Sequence, residues 1–160
     1  MKFVFALPLV CVLLHILEEF AWPGGFSQWY ATVKPETSLS FTPRYALAVN
    51  SAYVFAAAIV AWLGPAWSRG PALWLVIAAI AASNAIFHVS WVARLGRYSP
   101  GVITGVFLFL PLCAFGVWYF SIVQHLSPYV VVTSLALGAF INSWAIVRHR
   151  WRAAAISHSA

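Results

Sequence analysis

The chain has 160 residues, 63% of them hydrophobic and only 8% charged, with a mean hydropathy of +0.88, a balance that excludes an ordinary soluble domain. Its net charge of +6 would suit an acidic partner if the cations formed one patch, but they are scattered among the breaks between apolar runs. No nucleic-acid partner is therefore expected.

A bilayer core of about 30 Å takes roughly 20 apolar residues of helix. Five runs reach that length, at about 3–22, 45–63, 72–93, 101–124 and 129–147. They are continuously apolar, without the alternation of a β-barrel strand. The expected fold is all-α, a single domain over residues 1–160 built as a bundle of five transmembrane helices.

The first run follows Lys2 and ends in "LLHILEEFAWPGGF" at 13–26. It resembles a secretory signal, but it is long enough to span and lacks a small-x-small cleavage site, so it is expected to stay on the chain. His15 with Glu18 and Glu19 lies inside it. Residues 23–44 form the longest break, expected to be non-helical, with Phe26, Trp29 and Tyr30 suited to a membrane interface as a partial cap. The remaining breaks, 64–71, 94–101 and 124–128, read as tight turns.

In the third run Ala78, Ala82 and Ala85 signal close helix packing, as do Gly101 and Gly105 at G-x-x-x-G spacing in the fourth. Contact within the bundle is the economical reading of that spacing, and a homo-oligomer stays open. Cys11 and Cys113 fall inside helices and read as small buried residues, not a disulfide. His149 and His158 lie in a tail with no role assigned.

Lys34, Arg44, Arg94, Arg97, Arg148, Arg150 and Arg152 fall on one side of a five-helix path, and Lys2 and Arg69 on the other. The positive-inside rule then places the N-terminus outside and the C-terminus in the cytoplasm, and a bacterial cytoplasmic membrane is the expected location. At about 1.5 Å of rise per residue, Glu19 lies about 6 Å and His15 about 12 Å below the cytoplasmic end of the first helix. Asn50, His88 and Asn142 come to about 9 Å, and Asn84 to roughly 15 Å, below the same face. Thr104 sits near that depth, with Tyr98 and Ser99 at its threshold. The outer half has no comparable group, so a single site opening toward the cytoplasm is expected.

Spacing sharpens the picture. His15 and Glu19 are four apart, as are Asn84 and His88, so each pair shares a helix face. Only three acidic residues exist, Glu18, Glu19 and Glu36. Two of them adjacent in a spanning helix, where such groups cost on the order of 2.5–3.5 kcal/mol at mid-depth, point to a cavity or a partner. Tyr53, Trp91 and Trp144 are the rings nearest these polar groups.

"HILEE" at 15–19 with "PGGF" at 23–26 resembles the signature of the HXXEE-motif family of small membrane proteins, and "NAIFH" at 84–88 is similar to its N-A-x-x-H motif. "YSPG" at 98–101 sits where a further, weaker stretch of that family is expected. The resemblance covers roughly residues 10–148. It implies a choice of residues and no established reaction.

Three chemistries fit these residues. In the first, a membrane-embedded enzyme acts on a lipid or isoprenoid, with His15, Glu19 and His88 holding a divalent metal such as zinc, iron or manganese. There Glu18 or Glu19 is the base, His15 joins them in catalysis, and Asn84, Asn50, Asn142, Tyr98 and Trp91 meet the lipophilic substrate. Di-iron oxygen chemistry is discounted for want of histidines. In the second, the same carboxylates and imidazoles work without metal as an acid–base isomerase or cyclase of an isoprenoid or sterol-like lipid. The third is a small carrier, sensor or assembly factor.

Overall fold

The computed structural model describes residues 2–38 and 40–158, with side chains through Ile156, so the side chain of His158 lies outside the described residues. All regular structure among them is helical. In chain order the helices are α1 (Lys2–Phe20), α2 (Phe26–Val33), α3 (Pro35–Ser38), α4 (Pro43–Leu63), α5 (Gly70–Leu95), α6 (Val102–Val123) and α7 (Pro128–His158). Five of them, α1 and α4 to α7, are long and apolar enough to cross a membrane.

The boundaries differ from expectation in two places. Residues 23–44 are not an irregular loop, because α2 and α3 fold within them. The fifth helix does not stop at Val147 but continues to His158. Hydropathy marks where an apolar run ends, whereas a helix ends only at a breaker. Residues 148–158 contain no Gly or Pro, and their cations suit the negative end of the helix dipole.

Helix α5 is the central element, packed against α1, α4, α6 and α7. Small residues let the backbones close on it: a Cβ on Gly105 of α6 would lie 3.2 Å from the Ala85 Cα, and one on Gly138 of α7 would lie 2.5 Å from the Val76 carbonyl oxygen. The G-x-x-x-G spacing is thus used inside the bundle. At the end where α1 begins, Trp74 is fully buried against Phe115 and Phe120, and its indole N–H donates to the Val4 carbonyl at 2.9 Å. Cys11 and Cys113 are unpaired thiols.

The outside is as apolar as the inside. Phe3, Trp62, Phe107 and Phe140 are each more than half exposed on the long helices. Water would penalise such a belt, whereas lipid matches it. The cap at the other end is polar and aromatic. Thr42 caps α4 by accepting the Tyr45 N–H, and Pro43 opens the helix. His149, far from being an idle tail residue, is buried, stacks on Tyr45 at 5.1 Å, and lies 2.8 Å from the Ser40 hydroxyl. The α7 extension thereby pins the segment before α4.

Candidate functional site: a buried His/Glu cluster beside an apolar cavity

The last two turns of α1 carry the acidic pair, and adjacent helical residues point about 100° apart. That divergence sends Glu18 and Glu19 to different neighbours. Glu19 turns inward with His15 four residues earlier. Helix α5, lying alongside, presents His88 and Asn84 from one face.

The His15 and His88 rings meet edge to face at 5.4 Å. Between them Glu19 Oε1 lies 3.4 Å from His15 Nε2 and 3.1 Å from His88 Nε2. All three residues are buried. Asn84 Nδ2 stands 3.0 Å from His15 Nε2 and 3.3 Å from His88 Nε2.

Glu18, expected as a possible base, turns to other partners. Its two oxygens accept from the Tyr98 hydroxyl at 2.7 Å, the Ile103 and Thr104 backbone N–H groups at 3.1 and 2.7 Å, and the Thr104 hydroxyl. Those N–H groups are the free donors at the start of α6, where the helix dipole also favours a carboxylate. Tyr98 was expected to meet substrate. Instead it is committed to Glu18, and desolvation with that neighbouring carboxylate raises its pKa, so it remains a neutral donor.

The Glu18 contact has a consequence one residue further on. A threonine hydroxyl has one hydrogen, and Thr104 gives it to the Glu18 carboxylate. Its oxygen is then an acceptor for His15 Nδ1, 2.8 Å away. With Nδ1 protonated, neutral His15 aims the Nε2 lone pair at Glu19. Ser99 Oγ stands at 2.9 Å from His88 Nδ1, and a ring donating there turns its own Nε2 lone pair the same way. Hydroxyls thus hold both rings from behind, as outer partners orient metal-binding imidazoles.

His15, His88 and Glu19 each offer one ligand atom, all within 4.8 Å of one another, a buried arrangement that a cation would complete. Tetrahedral bonds of about 2.0–2.1 Å place ligand atoms roughly 3.3 Å apart, close to the two Glu19–His separations. The donor set fits zinc, iron or manganese.

The first break supplies the roof. Gly24 and Gly25 adopt φ of +71° and +86°, a reversal that non-glycine residues resist, and it carries α2 back over the cluster. Phe26 and Trp29 then pack on His88 at 5.8 and 6.2 Å, which explains its complete burial. Phe109, in a π-helical stretch of α6, lies 4.4 Å from the His15 ring. Gly101 closes the third side: a Cβ there would sit 2.8 Å from His15 Cε1 and 3.0 Å from both Glu19 Cγ and His88 Cε1.

One wall of the cluster is open. A cavity of about 370 Å³ lies between α1, α4, α5 and α7, within the size range of small-molecule pockets, and His15 and Glu19 face it with Asn84. Asn50 and Asn142, both expected to contact substrate, also line it, among side chains such as Val12, Tyr53 and Ile80. Asn50 donates to the Ala46 carbonyl of its own helix, while Asn142 has no hydrogen-bond partner among the described residues. Tyr53 gives its hydroxyl to the Ile77 carbonyl at 3.0 Å and offers the cavity its ring.

Trp91 does not reach this cavity. It stacks edge-on with Trp29 and lines a separate space nearer the bundle end. Trp144 faces outward beside Phe140 and Trp151. Thr104, Ser99 and Gly101 were noted from sequence only for depth or packing, and their contacts with the two histidines come from the turn into α6. "YSPG" was the one signal that could have found Ser99 and Gly101, and it does not reach Thr104.

A family model described as a protein of unknown function with HXXEE motif matches residues 6–119. The match takes in the cluster and its supports but ends before α7, short of the residue 148 reached by the motif resemblance. No curated protein and no solved structure matches the chain.

Proposed function

The chain belongs to the HXXEE family, and from that premise we propose that it is an integral membrane enzyme that binds a divalent metal at His15, Glu19 and His88 and acts on a lipophilic substrate. The observation that carries this reading is the convergence of His15, His88 and Glu19 in one buried cluster, two of whose members, His15 and Glu19, line an apolar cavity. The bound ion would supply Lewis-acid polarisation of a substrate oxygen. The protein's own groups do the rest. Thr104 and Ser99 hold the imidazoles, Glu19 adds the negative charge and faces the substrate space as the proton acceptor, and Asn84, Asn50 and Asn142 offer it polar anchors. Phe26, Trp29 and Phe109 keep water from the far side of the cluster.

The site lies at the end of the bundle bearing most of the cations, so the positive-inside rule supports a cytoplasmic opening with the N-terminus outside.

A metal-free acid–base isomerase or cyclase is the second reading. It is favoured by Asn84, whose amide gives both Nε2 atoms a donor without an ion. Elemental analysis of protein purified without chelator separates the two. The expected result is about one metal ion per chain in the wild type and loss of it in both His15→Ala and His88→Ala. Metal-free wild-type protein carrying a bound lipid would shift the assignment to the acid–base reading; protein with neither would overturn both in favour of a non-enzymatic role.

A further inference from the structure

Beyond the His/Glu cavity, a second space of about 310 Å³ opens toward the end of the bundle that carries the cap helices. Its chemistry is different. Lys34, Arg94 and Arg150 line it together with His149, Tyr30 and Trp91. Lys34 Nζ and the Arg94 guanidinium both approach the Trp91 ring, at 5.1 and 5.6 Å from its centroid. Lys34 has Glu36 at 3.8 Å, a long contact to an exposed carboxylate and of little strength. Arg94 and Arg150 have no carboxylate partner among the described residues. Glu18 and Glu19, the other two acidic residues, are committed below.

The two spaces share Phe26, Phe41, Tyr45, Val49, Asn84 and Ala145 in their walls. Asn84 is the junction, since it touches both histidines and faces both spaces. From Asn84, α5 rises about 15 Å to Arg94 on one side and falls about 10 Å to Ile77 on the other. On the two sides of this shared wall lie a space lined by cations toward the bundle end and an apolar one that carries His15 and Glu19.

We propose that the occupant is a phosphate-headed lipid, its anionic head held by Lys34, Arg94 and Arg150 and its hydrocarbon chain lying in the 370 Å³ cavity past Asn84. This rests on the proposed function and names its substrate class. Charge complementarity selects the head: guanidinium groups match phosphate oxygens in pairs, and three cations with one exposed acid leave a positive excess that a neutral lipid would not offset. The apolar floor selects the chain.

The test is binding, scored without chemistry, on purified protein in a phosphate-free maltoside detergent. Three probes are titrated: dodecyl phosphate, dodecanol and inorganic phosphate. Dodecyl phosphate is expected to bind at least about tenfold more tightly than either of the others. The Arg94→Gln/Arg150→Gln variant should abolish its advantage over dodecanol, and Ala145→Phe, which fills the junction, should weaken dodecyl phosphate while sparing inorganic phosphate. Inorganic phosphate binding as well as dodecyl phosphate would overturn the proposal in favour of a free-anion site. Dodecanol binding equally, or no probe binding, would also overturn it. Metal content is measured on the same samples: a metal-free protein that prefers dodecyl phosphate leaves this inference standing while the metal reading fails, and a metal-loaded protein indifferent to the phosphate does the reverse.

Discussion

With φ at +96°, Gly101 lies in the left-handed region, and a Cβ added to it would meet three side chains of the cluster. Gly101→Ala adds a backbone cost of about 1–2 kcal/mol and a methyl that His15, Glu19 and His88 must yield to. Gly96 is the matched control, because φ is +60° there and nothing lies within 4 Å of a Cβ. Gly96→Ala is expected to lower the thermal midpoint slightly and leave metal content unchanged. Gly101→Ala should lose the metal as well, and equal metal content in the two variants would show that Gly101 does not shape the site. The hydroxyls make a second prediction. Thr104→Val and Ser99→Ala remove the groups behind the imidazoles, so each should weaken metal affinity about 10–100-fold in a chelator competition, with helical content retained. His15, Glu19 and His88 were legible in sequence because ionisable groups are rare in spanning helices. Thr104, Ser99 and Gly101 were not, because hydroxyls and glycines are ordinary there and only their neighbours give them a role.

Among the elements, the start of α6 depends most on a distant residue. Its N–H groups at Ile103 and Thr104 have no intrahelical acceptor and are met by Glu18 of α1. Glu18→Ala leaves these part-buried groups without a protein partner, at up to about 1–3 kcal/mol for each unsatisfied group. A drop of several degrees in the thermal midpoint in detergent is expected, and an unchanged midpoint would mean that α6 is capped otherwise. The two adjacent glutamates thus divide the work, one tying helices together and one facing the cavity. Sequence spacing showed that they diverge but could not say which neighbour each would meet. The same limit hid α2 and α3: α2 follows two glycines and is held by ring contacts of Phe26 to His88 and Tyr30 to His149, and α3 by the contact of the Thr37 and Tyr30 hydroxyls at 3.0 Å, not by helical length.

For the whole molecule the charge asymmetry predicts an orientation. Thiol labelling tests it in a Cys11→Ala/Cys113→Ala background, with a cysteine placed at exposed Ser127 or at exposed Arg97. Ser127→Cys is expected to react with an impermeant reagent on intact cells, and Arg97→Cys only after permeabilisation. The reverse pattern would place the His/Glu cavity on the outer side and remove the basis for a cytoplasmic opening. Either way α5 remains the hub, because the small residues Ala78, Ala81 and Ala85 let the other helices approach its backbone.

Apolar length alone determined the helical class and the five long segments, since every backbone polar group in lipid must be bonded within its own helix. Helical periodicity likewise paired His15 with Glu19 and Asn84 with His88. The tertiary structure decided that the two pairs face each other, that Glu18 belongs to α6, and that α2 roofs the cluster. Those outcomes depend on the azimuth of each helix about its axis, which is set by contacts between residues as far apart as His15 and Thr104, and no local pattern in a nearly uniform apolar sequence encodes it.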